Sequence, residues 1–103
     1  MTPSQGEIWW AETEEKKRRP VLVVTRSAAV PILGAIVVAP ITRTVRRVPT
    51  EIPLGEDDGL GAPCAASFDN IQPIPRSLLT ERVGSTAGAH AKICRALAAL
   101  ADC

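Results

Sequence analysis

Lys16, Lys17, Arg18, Arg19, Arg26, Arg43, Arg46 and Arg47 all fall within residues 16–47, a window without a single Asp or Glu, although the formal net charge of the whole chain is only +1. A locally unbalanced stretch of this kind sets up a field that attracts a polyanion, so the partner these residues select is rich in phosphate. Other chemistries lack their residues. The acidic cluster Glu56-Asp57-Asp58 has no histidine or further carboxylate nearby in sequence to complete a metal site, so no metal is expected. His90 is the single histidine, which excludes a base-and-acid pair of histidines. No glycine-rich loop leads into a helix, as nucleoside triphosphate chemistry would need, and no cofactor is expected. Cys64, Cys94 and Cys103 are odd in number and widely spaced, which suits neither a disulfide framework nor zinc-ligand spacing. With no Tyr and Phe68 alone, the rows of aromatics that stack successive bases are missing as well.

These side chains must be positioned by a small scaffold. A chain of 103 residues fits one domain, here residues 1–103, with a modest core. Its patterns favour strands first and one helix last. Ile8-Trp9-Trp10-Ala11 and Val21-Leu22-Val23-Val24-Thr25 read as two strands, the second opened by Pro20, with the charged string Glu12 to Arg19 as the loop between them. Trp9 and Trp10 alternate, so one faces inward and the other a surface or interface. Ala35-Ile36-Val37-Val38-Ala39 is apolar throughout, as a central strand is, and Pro40 is expected to end it before Ile41-Thr42-Arg43. Thr50 to Leu54 alternates like an edge strand with a wet face, Gly55 to Gly61 reads as a solvated turn, and Cys64 to Ile71 as a further strand. From Thr86 the period changes: Ala89, Ile93, Ala96, Leu97 and Leu100 recur at helical spacing, with Ser85 or Thr86 placed to cap the start and Gly88 in the first turn. The fold class is therefore α+β, mainly antiparallel β with a C-terminal amphipathic helix. No stretch approaches the ~20 apolar residues of a membrane span and the N-terminus lacks a leader pattern, so a cytoplasmic location is expected.

A basic loop thus feeds a strand, and a second arginine-bearing loop follows the third strand. Gly6-Glu7-Ile8-Trp9-Trp10, Arg18-Arg19-Pro20-Val21-Leu22-Val23-Val24, Val37-Val38-Ala39-Pro40-Ile41-Thr42, Phe68-Asp69-Asn70-Ile71 and the ending Val83-Gly84-Ser85-Thr86 before a helix closely resemble, in order, the MazF/PemK toxins. That resemblance implies a small SH3-like barrel, a homodimer whose groove holds RNA, and sequence-selective endoribonuclease activity without metal. It implies products ending in a 2′,3′-cyclic phosphate and a 5′-hydroxyl, a block of translation, and a MazE-like antitoxin that occupies the RNA groove. The chemistry is coherent, because in RNA the nucleophile is the substrate's own 2′-hydroxyl.

Carried over by position, the catalytic pair implied by the resemblance is Arg19, just before the proline, and Thr42 of the Ala-Pro-Ile-Thr segment. Arg19 can bind a nonbridging phosphate oxygen and deliver a proton to the leaving oxygen, and Thr42 can donate to the same phosphate. Lys16, Lys17, Arg18, Arg43, Arg46 and Arg47 are candidates for holding RNA phosphates along the groove, a role that gives affinity and salt dependence rather than base choice. Glu12, Glu14 and Glu15 are candidates for a general base or for reading a base edge, with plain solvation as the other reading. Cys64 reads as a core residue and Asp69 as structural support. Two rival classes stay open: a nonenzymatic nucleic-acid-binding barrel, and a gyrase-directed toxin of the CcdB type. RNA scission dependent on Arg19 and Thr42 separates them.

Overall fold

The computed structural model describes residues 2–12 and 17–102. Among these residues seven strands, β1 (Glu7–Glu12), β2 (Arg18–Val23), β3 (Ala35–Thr42), β4 (Glu51–Leu54), β5 (Cys64–Ser67), β6 (Gln72–Pro75) and β7 (Leu79–Ser85), precede one α-helix, α1 (Ala89–Ala101). All pairings are antiparallel, in the order β4-β5-β3-β2-β1-β7, with β6 pairing β3 on the same edge as β5. The sheet curls into a half-barrel and α1 packs against β4 and the Phe68–Asn70 turn, in keeping with the mainly antiparallel expectation.

The apolar runs in β2 and β3 follow from burial on both faces. Ile8, Leu22, Val24, Ala39, Ile52, Leu54, Ala66 and Phe68 form one core with Ile93 and Ala96 of α1. Trp9, Ala11, Val21, Val23, Ile36, Val38 and Leu79 form a second core on the opposite face, where Val30 covers them. A strand between two cores cannot alternate apolar with polar, and so Val21 to Val24 reads as an unbroken hydrophobic stretch. Trp9 is buried and Trp10 only half-buried, the split that their alternation required. Cys64 is buried in β5, its thiol donating to the Ala62 carbonyl at 3.3 Å.

Several boundaries differ from the sequence reading. Arg18 and Arg19 lie in β2 and not in the preceding loop, and Pro20 is internal to the strand. It sits beyond the last β2–β3 pair, Val21↔Pro40, where a missing N–H interrupts no ladder on that edge. β3 runs through Pro40 to Thr42. One edge of β3 pairs with β6 over Ala35–Val38 and with β5 over Ile41–Thr42, and Pro40 falls in the gap between these partners, where the absent donor costs nothing. The segment after Cys64 breaks into two short strands because Phe68–Asn70 turns as 3-10 helix. Edge strand β4 has no fully wet face, since Glu51 is buried. Helix α1 begins at Ala89 with Gly88 at its N-cap in the left-handed region and no side-chain cap. Thr86 is buried instead, where its hydroxyl accepts from Lys92 Nζ at 3.1 Å. Gly84 is required by packing: a Cβ there would run into the Asp58 carbonyl, so the absence of a side chain lets the 3-10 turn after β4 close against β7.

Candidate functional site

Strand register, not sequence proximity, creates the site. Val21 on β2 faces Pro40 on β3, and two residues further along each strand, on the same face, come Arg19 and Thr42. Both line one open cleft of about 960 Å³, with Val21, Val38, Pro40 and Ile74 among its apolar residues. Arg43 and Arg46 line it from the loop after β3, and Ser67, Asn70 and Gln72 add polar groups from the other wall.

The electrostatics of the cleft follow from who is paired. Arg19 is exposed, and Arg19, Arg43 and Arg46 enter no ion pair among the described residues. A guanidinium stays charged throughout the ordinary pH range and offers a rigid fork of donors, so these three cations are available to phosphate oxygens. The Thr42 hydroxyl oxygen accepts the Thr44 N–H at 3.1 Å, which fixes the side chain and leaves its own proton to donate into the cleft. Asn70 is oriented by donating through Nδ2 to Ser67 Oγ at 2.9 Å. Asp69 turns away to accept from Thr50 Oγ1 at 2.6 Å, the supporting contact expected of it.

The other candidates divide. Glu12, the last residue of β1, borders the cleft. Arg18 lies on the opposite face of β2 from Arg19: its Nη2 bonds Glu81 Oε2 at 2.8 Å, and its guanidinium stacks 5.0 Å from the centre of the Trp10 ring. Lys17 is exposed just before β2, and Arg47 is exposed outside the cleft lining. Glu14, Glu15 and Lys16 lie outside the described residues. His90 is remote, on α1, its Nδ1 3.3 Å from Gln5 Oε1 and its Nε2 3.6 Å from Cys94 Sγ. Among the described residues no three His, Cys, Asp or Glu side chains come together as a metal-ligand set.

Two features escaped the sequence reading. Gln72 and Ser67 join the cleft only because β5 and β6 both pair with β3, a nonlocal fact. Glu51, read as a wet edge position, is 8% exposed and accepts through Oε1 from the backbone N–H groups of Arg46 at 2.9 Å and Arg47 at 3.1 Å. The available signal was an acidic residue directly after a loop of arginines.

At the far end of β1, Glu7 accepts from the Ser4 N–H, from Arg82 at 2.7 Å and from the Trp9 indole at 3.2 Å. Partial burial pushes its carboxyl upward, but the Ser4, Arg82 and Trp9 bonds outweigh it and hold the group below the usual carboxylate range.

The chain is similar to known proteins over nearly its whole length. "Probable endoribonuclease MazF5" of Mycobacterium tuberculosis is 37% identical over 103 residues, covering 98% of this chain and 94% of that protein. The structure of Mycobacterium tuberculosis toxin MazF-mt6 superposes with a TM-score of 0.84 at 37% identity, covering 93% of this chain and 96% of that one. An endoribonuclease from a mycobacterial species, solved in complex with its cognate antitoxin, superposes at 0.81 with 26% identity, covering 97% and 95%. The family model for the PemK-like, MazF-like toxin of type II toxin-antitoxin systems matches residues 4–101, and with these relatives it shows that the chain belongs to that family.

Proposed function

We propose that this chain is an endoribonuclease toxin that cleaves RNA by attack of the ribose 2′-hydroxyl on the adjoining phosphodiester, without a metal ion. The observation that carries this reading is the meeting of Arg19 and Thr42 in one open, cation-rimmed cleft. Support comes also from relatives named as endoribonucleases. In the proposed step the 2′-oxygen bonds to phosphorus as the bond to the 5′-oxygen breaks, giving a 2′,3′-cyclic phosphate and a 5′-hydroxyl. Arg19 binds a nonbridging oxygen with bonds that strengthen as negative charge gathers in the pentavalent transition state, and Thr42 donates to the same phosphate. Glu12 at the cleft border takes the 2′-hydroxyl proton, and solvent water reaching the open cleft protonates the departing 5′-oxygen. Arg43 and Arg46 hold flanking phosphates.

The biological consequence is a block of translation through loss of RNA, restrained by an antitoxin. A partner whose carboxylates compete with phosphate for Arg19, Arg43 and Arg46 inhibits by occlusion, and a relative of this fold was solved with its cognate antitoxin. The family resemblance adds a homodimer with RNA in the groove, which sedimentation equilibrium tests. The decisive experiment incubates the protein with mixed-sequence RNA in EDTA, maps the ends, and replaces the scissile nucleotide by its 2′-deoxy form. Cleavage in EDTA that vanishes on the single deoxy substitution is the expected result; cleavage that survives it would overturn the mechanism.

A further inference from the structure

We propose that Glu51 is a positioning residue for RNA binding: its buried carboxylate clamps the backbone at Arg46 and Arg47 and so holds Arg46 at the cleft. This inference rests on the reading of the cleft as an RNA site. Glu51 opens β4, is 8% exposed, and takes two consecutive backbone N–H groups on a single oxygen, Oε1. These bonds fasten a loop that is otherwise solvent-facing, because every side chain from Arg43 to Pro49 is exposed. The loop is unfavourable without the clamp, since Arg47 occupies the left-handed region at φ 57° and adjacent guanidinium groups repel one another. A single buried acceptor offsets this cost by bonding the strained backbone at two consecutive N–H groups.

The second carboxylate oxygen argues that Glu51 is kept for more than core stability. Oε2 is buried and has no hydrogen-bond partner among the described residues. An unsatisfied buried acceptor is costly, and an apolar residue of similar size would pack in the same place without that cost. What the apolar residue could not do is fix the Arg46 backbone. Glu51 stands behind the cleft and not in its lining: it pairs in register with Ser67, a cleft residue, and itself borders a separate groove with Lys92 and Arg95. The geometry thus makes Arg46 a preorganised phosphate ligand instead of a freely sampling one, and preorganisation shows in affinity and not in the chemical step.

The test measures dissociation constants for a single-stranded RNA of mixed sequence across a salt series, with kcat and KM for its cleavage. Glu51→Gln keeps an Oε1 acceptor and is expected to bind within twofold of wild type. Glu51→Leu and the shortened Glu51→Asp are expected to bind about tenfold more weakly, raise KM by the same factor and leave kcat within twofold. Their salt slope should flatten by about one, as for loss of one phosphate contact. In an Arg46→Ala background the further loss from Glu51→Leu should disappear. Unchanged binding in Glu51→Leu or Glu51→Asp, a fall in kcat at constant KM, or full additivity with Arg46→Ala would overturn the proposal. If Glu51→Leu does not fold, Glu51→Asp decides alone. Wild-type protein that binds RNA without cutting it removes the nuclease reading and leaves this inference standing, whereas failure of wild type to bind RNA sinks both.

Discussion

Arg18 and Arg19 are adjacent in sequence and have the same side chain, yet the two faces of β2 give them opposite environments. Arg18 is satisfied twice, by Glu81 and by the Trp10 ring. Arg19 faces the cleft with Thr42, Arg43 and Arg46 and enters no ion pair among the described residues. A cation already paired with a carboxylate must give up that partner to bind phosphate, while an unpaired one in a cleft with an apolar floor loses only water. The lesson is that a run of basic residues is not one binding surface: strand alternation sorts it into a paired face and a cleft-lining one.

The largest test of that contrast is Arg19→Ala, which should lower single-turnover RNA cleavage about 10³-fold while RNA binding falls by less than tenfold, because the lost bonds strengthen in the transition state. Thr42→Val comes next. Removing the hydroxyl but keeping the shape should cost about 10²-fold in the same assay, with little effect on thermal stability. Replacing Arg43 by alanine should weaken RNA binding and flatten its salt slope by about one, with cleavage at saturating RNA unchanged. Arg18→Ala is expected to leave cleavage within twofold and to cost no more than about 1 kcal/mol in urea unfolding, the usual range for an exposed ion pair with one aromatic contact. If Arg18→Ala abolishes cleavage, the two faces are not functionally distinct.

The smallest effect concerns acid. Because Glu7 has a depressed pKa when folded, it contributes stability that is present above its unfolded value and is lost as pH falls through the lower folded value. The stability gap between wild type and Glu7→Gln should therefore be largest near neutrality and shrink on acidification below pH of about 4, read by urea unfolding at each pH. A gap that grows in acid would contradict the bonding seen around this carboxylate.

Much of this was legible in residue order. The helical period from Ala89 to Leu100 located α1, and the unbroken apolar run of Ile36 to Ala39 identified a central strand that proved to have three partners. Arg19 and Thr42 were identifiable through a family motif, not through any local rule. Boundaries were less legible, because proline was read as a strand breaker at Pro40, where a gap between neighbouring strands lets it pass. The burial of Glu51 is illegible for a related reason: alternation in an edge strand does not reveal that a neighbouring loop folds back to donate its N–H groups.

The sequence by itself determined the class of fold, the excess of cations and the types of group available for chemistry, since hydrophobic period, charge and side-chain inventory are local properties. Tertiary structure alone decided which cations enter no ion pair among the described residues, that Arg19 and Thr42 share one cleft, and that a buried carboxylate stands behind Arg46. Those outcomes depend on strand register and chain crossing, where a shift of one residue would turn every side chain to the other face.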